Sequence, residues 1–92
     1  MNKIIKTYNI NNTIYEAEIM PCSLSSAIAE VYIYEVIRPN WKIFRRSYCT
    51  GYNFFIEDFN TIEEGVNATF EKFLDKIEKQ NNTQKKWDNF LK

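Results

Sequence analysis

"TIEEGVNATFEKFLDKIEKQ", residues 61–80, decides the fold. Ile62, Val66, Phe70, Phe73, Leu74 and Ile77 recur at intervals that put them on one face of an α-helix. Thr61 followed three residues later by Glu64 is a capping-box pattern, with Asn60 as an alternative cap, and Asn81-Asn82 predicts the end. Gly65 is the one unfavourable residue, at about 1 kcal/mol against Ala in a helix interior. A helix with one apolar face needs a second layer to cover it.

The upstream chain supplies that layer. Ile4, Tyr8 and Ile10 alternate with polar residues, Asn11-Asn12 tolerates positive φ, and Tyr15, Ala17 and Ile19 resume the alternation. A two-residue turn sets Tyr8 opposite Tyr15 and Ile4 opposite Ile19. Residues 23–28 read as a loop or a turn of helix. "VYIYEVI", residues 31–37, is apolar in both phases and predicts a central strand. Pro39-Asn40 predicts a turn, 41–48 a returning strand, Thr50-Gly51 a second turn, and 52–56 a fifth, shorter strand.

The expectation is an α+β fold, an antiparallel sheet of four to five strands with one long C-terminal helix packed on one face. Residues 1–82 make the single domain. Residues 83–92 are expected as a short amphipathic tail helix showing Trp87, Phe90 and Leu91 on one side. Free helices of that length are marginal, which argues that the tail packs on the sheet.

Composition excludes much. A chain of 92 residues, 45% hydrophobic and 16% aromatic, makes one core and no second. With no histidine, neither Ser-His-acid nor Cys-His chemistry is available, nor any histidine metal site. Two glycines build no phosphate-cradling loop. Cys22 and Cys49 lie far apart and read as reduced thiols of a cytoplasmic chain. Arg45 and Arg46 near Cys49 could lower its pKa, but a strand-end cysteine with no base beside it reads as inert. No secretory leader or membrane span is expected. The class is a non-enzymatic binding protein without cofactor or metal.

Twelve cations balance twelve acids, but unevenly. Arg38, Lys42, Arg45 and Arg46 stand among aromatics in residues 38–56 with no acid. On a strand, Lys42, Phe44, Arg46 and Tyr48 point one way, and Trp41, Ile43, Arg45 and Ser47 the other. Aromatics among cations suit single-stranded nucleic acid, protein interfaces, or an edge strand protected from aggregation. Zero net charge favours protein over nucleic acid. On the helix, Glu64, Glu71, Asp75 and Glu78 form an acidic stripe opposite the apolar face, with Lys72, Lys76 and Lys79 beside it. Glu71–Asp75 and Lys72–Lys76 are like-charged pairs, each unfavourable by a few tenths of a kcal/mol. Segregated charge of this kind suits either an acidic ridge that meets a basic groove or a plain solvent face.

Two resemblances add to this. "TIEEGVNATFEKFL" from Thr61 resembles the helix opening of HicB-type antitoxins, over about a sixth of the chain, though "GYNFFIEDFN" stands where that family has its preceding loop. More broadly, a small domain rich in Asn, Ile, Lys, Tyr and Phe with segregated charge resembles phage and mobile-element inhibitors of the anti-CRISPR type. That resemblance implies a protein target, a CRISPR effector or other host defence protein. Either the acidic stripe or the Trp41–Tyr48 strand would then be the contact surface.

Overall fold

The structure, a computed structural model, describes residues 3–40 and 43–92, with backbone only at 38–40, 43 and 44. Strands β1 (Ile4–Ile10) and β2 (Thr13–Pro21) form the expected hairpin. Asn11 and Asn12 take φ of 50° and 68°, the left-handed region that a two-residue hairpin turn demands. Tyr8 faces Tyr15 and Ile4 faces Ile19, as the alternation predicts. Residues 22–27 are a loop, closed by the Cys22 N–H donating to the Ile28 carbonyl at 2.9 Å. Strands β3 (Ile28–Asn40) and β4 (Ile43–Phe55) complete a four-stranded antiparallel sheet in the order β1-β2-β3-β4. A single 3-10 turn at Ile56–Asp58 leads into the helix α1 (Ile62–Leu91).

The cap is as expected. Thr61 Oγ1 accepts from the Glu64 N–H at 3.1 Å, and Glu64 Oε2 accepts from the Asn60 N–H at 3.3 Å. Behind it α1 lays Val66, Phe70 and Phe73 onto Ala17, Ile19, Ala29, Val31 and Ile33, all buried. Phe70 stacks on Tyr8 with ring centroids 3.9 Å apart and meets Tyr15 edge-on at 5.7 Å. The edge strand β1 is tied down separately, Lys6 Nζ donating to Glu63 at 2.9 Å and to Asn67 at 2.8 Å.

Three expectations are corrected. Thr50-Gly51 is not a turn. Thr50 faces Ile33 and Tyr48 faces Tyr34, so Cys49 is the extra residue of a β-bulge inside one continuous strand. The described residues therefore hold four strands, not five. Nor is the turn at Pro39-Asn40, because Asn40 still pairs with Ile43; the connection, Trp41-Lys42, lies outside the described residues.

The third correction concerns the tail. Asn81-Asn82 does not end the helix, which runs unbroken for 30 residues to Leu91. Asn costs only a fraction of a kcal/mol in a helix interior, and no Gly or Pro follows to break it. Thr83 Oγ1 donates to the Lys79 carbonyl at 2.9 Å, and Gln84 bonds Asp88 at 3.0 Å. The buried residues of α1 end at Phe73, with Leu74 and Ile77 partly buried against the core. Trp87, Phe90 and Leu91 stand exposed at 55%, 76% and 73%, and do not pack on the sheet.

Candidate functional site

An antiparallel sheet has two faces, and α1 covers one. The other carries Glu16 and Glu18 from β2, Glu30, Tyr32 and Tyr34 from β3, and Arg46 and Tyr48 from β4, with no layer over them among the described residues. The bulge at Cys49 brings this about. It shifts the alternation of β4, so that Arg46 and Tyr48 share a face with Gly51 and Asn53 while Tyr52 and Phe54 turn to the core.

Arg46 organises this face. Its guanidinium lies 4.3 Å from the Tyr34 ring centroid and crosses β3 to reach two acids on β2. Its Nη1 donates to Glu18 at 2.7 Å and approaches Glu16 at 3.4 Å. Lys3 adds a second cation 3.4 Å from Glu18, whose side chain retains only 7% exposure. Such shielded carboxylates persist only when paired. The Arg46 hydrogen bond, with Lys3, holds the Glu18 carboxyl below its usual range and Arg46 above its own.

A pH dependence follows. A depressed carboxyl stabilises the fold fully above its ordinary value of 4.5, and the stabilisation is lost as pH falls through the lower folded value. Arg46→Ala, which leaves Glu18 with Lys3 alone, is expected to cost about 1–3 kcal/mol at neutral pH. The gap between variant and wild type should narrow below pH 4.5. Denaturant melts at several pH values check both; a gap that stays constant with pH would disprove the pairing.

Tyrosines make the rest of the surface. Tyr48 lies edge-on to Tyr34 at 5.6 Å and tilted to Tyr32 at 6.5 Å, and Tyr32 Oη donates to Glu30 at 2.8 Å. Gly51 explains the arrangement. A Cβ there would meet the Tyr48 hydroxyl at 2.8 Å and the Tyr32 ring at 3.3 Å, so the glycine seats two rings rather than turning the chain.

The expected site residues separate. Arg46 and Tyr48 join the open face, as the strand alternation predicts. Arg45, paired opposite Ile37, points to the other side. Trp41, Lys42 and the Phe44 side chain lie outside the described residues. Glu64, Glu71, Asp75 and Glu78 are all exposed on α1, in the layer beyond the sheet. The two candidate surfaces are therefore opposite sides of the molecule. Glu64 also has a structural use in the helix cap. At Cys49 desolvation pushes the thiol up, and Arg46 is engaged by Glu18 instead. Glu16, Glu18, Tyr32 and Tyr34 were missed as site residues. Their common signal was the alternation of acids and tyrosines along β2 and β3.

No helix among the described residues is long and apolar enough to cross a membrane. Comparison with known proteins finds no matching family model, no matching curated protein and no matching solved structure.

Proposed function

We propose that this chain is a non-enzymatic protein-binding module whose open sheet face is its docking surface. The observation that carries this reading is the Tyr32–Tyr34–Tyr48 cluster around an Arg46 already paired to Glu16 and Glu18. Tyr and Arg are the residues that protein interfaces favour, and rigid rings lose little entropy on contact. The same pairing argues against a nucleic-acid platform. A phosphate approaching Arg46 would displace one carboxylate and be repelled by two. In its finer form the reading is an inhibitor from a phage or mobile element that occupies a site on a host defence complex. The compositional resemblance and the acidic ridge of Glu71, Asp75 and Glu78 support that form.

The test has two arms. Fluorescence anisotropy with single-stranded DNA and RNA, between about 50 and 200 mM salt, should show negligible binding. Tight binding that weakens steeply with salt would transfer the function to the nucleic-acid or antitoxin reading. In the second arm, purified CRISPR effector complexes are assayed for target cleavage with the wild type and with Tyr32→Ala/Tyr48→Ala. Inhibition by the wild type, lost in the double variant at an unchanged melting temperature, is expected. Inhibition retained by the variant would remove the sheet face from the mechanism.

A further inference from the structure

Arg46 shows how this sheet face holds a cation. Its guanidinium lies over the Tyr34 ring and reaches the carboxylates of Glu18 and Glu16, so an aromatic face and acid oxygens grip one planar group together. The same two chemistries recur along β3 at Tyr32 and Glu30, on the same face. Tyr32 Oη donates to Glu30 Oε2 at 2.8 Å. Among the described residues no lysine or arginine forms an ion pair with Glu30. We propose that this second constellation receives an arginine side chain of the protein partner, an inference that rests on the open sheet face being the docking surface.

Charge is the first argument. Glu16 and Glu18 are matched within the chain, by Arg46 at 3.4 Å and 2.7 Å, and Lys3 lies 3.4 Å from Glu18. Glu30 is the acid of this face without such a match among the described residues, so the unbalanced charge that a partner meets is a carboxylate. Glu30 is also half-buried beside an aromatic ring. A cation brought there feels a lower dielectric than at an open surface, and an anion is repelled.

Room is the second. A recess of about 260 Å³ opens against Glu30, with Tyr32, Gly51 and Asn53 among its walls. Gly51, paired opposite Tyr32, has no side chain to fill it. Asn53, paired opposite Glu30 on the same face, is exposed, and its amide oxygen is a second acceptor beside the carboxylate.

Shape selects arginine over lysine. A guanidinium is planar, so it can lie against the Tyr32 ring while its edge donates to two acceptors, as Arg46 does beside Tyr34. An ammonium is a strongly hydrated point charge and gains less from a ring beside an acid. The Tyr32 hydroxyl already fixes the Glu30 carboxylate, so little ordering remains to be lost when a partner arrives.

Two experiments test the proposal, the first without any effector complex. Isotope-labelled protein is titrated with N-acetylarginine amide and separately with N-acetyllysine amide, up to about 100 mM, where a contact worth one factor of ten registers. Saturable NMR shifts are expected at the amides of Glu30, Tyr32, Gly51 and Asn53 with the arginine probe, and weaker ones with lysine. Glu30→Gln, which keeps an acceptor for Tyr32 and removes the charge, should abolish them. No saturable shift there, equal binding of the lysine probe, or shifts that Glu30→Gln leaves unchanged would each overturn the proposal. In the effector cleavage assay, Glu30→Lys should weaken inhibition by about tenfold or more at an unchanged melting temperature. Full inhibition by Glu30→Lys, beside its loss in Tyr32→Ala/Tyr48→Ala, would keep the docking face and overturn the arginine site. A wild type that inhibits no effector counts against the wider reading, and the titration alone then decides the arginine site.

Discussion

Phe70→Ala is expected to destabilise the protein by about 3–5 kcal/mol, the range for removing a fully buried aromatic ring. The ring is 3% exposed, stacks flat on Tyr8, meets Tyr15 edge-on and lies 5.6 Å from Phe73. It is the point where the edge strand, its neighbour and the helix converge. None of these partners can collapse far into the space, because Tyr8 is also held by its hydroxyl, which donates to Asn67 at 2.8 Å. A domain of this size has about 5–10 kcal/mol in total. The variant should therefore unfold at much lower denaturant than wild type, or fail to fold. A loss below about 1 kcal/mol, the value for exposed positions, would mean that α1 does not present this face to the sheet.

Gly65→Ala should reverse the sign that helix propensity predicts. In an open helix the change would gain about 1 kcal/mol. Here Gly65 is buried against the Phe54 ring, and an added Cβ would overlap three of the ring's carbon atoms. Phe54 has little freedom to yield, since Phe59 packs edge-on to it at 5.4 Å. Overpacking of this kind costs about 1–3 kcal/mol, so a net loss is expected in a denaturant melt. A gain in stability would show that Phe54 swings aside freely and that the close approach is incidental.

Gly65 shows where local pattern stops being informative. Its neighbours announce a helix, and the glycine looks like a blemish until the ring from β4 is seen against it. Gly51 repeats the lesson on the other face: beside Thr50 it has the composition of a turn, but its use is to seat Tyr32 and Tyr48. In both cases the cause is a side chain distant in sequence, which no window of neighbours contains. The hairpin register and the helix cap were legible because their causes are local, Asn11-Asn12 in one and Thr61 with Glu64 in the other. The candidate face was half legible for the same reason. Alternation placed Arg46 with Tyr48, but Glu16 and Glu18, some thirty residues earlier, reach Arg46 only through the order of the strands.

The unbroken course of α1 has a consequence for how its second half forms. Starting a helix in water is the unfavourable step, because several residues must be ordered before the first hydrogen bond compensates. Adding one more residue to an existing helix is nearly neutral. The turns packed on the sheet serve as a preformed seed, so the segment beyond Gln80 needs only to propagate from them. A peptide of the same residues, cut free, would be largely coil. Attached, the segment zips and frays from its Leu91 end without disturbing the core. The core thus templates an arm that it does not touch.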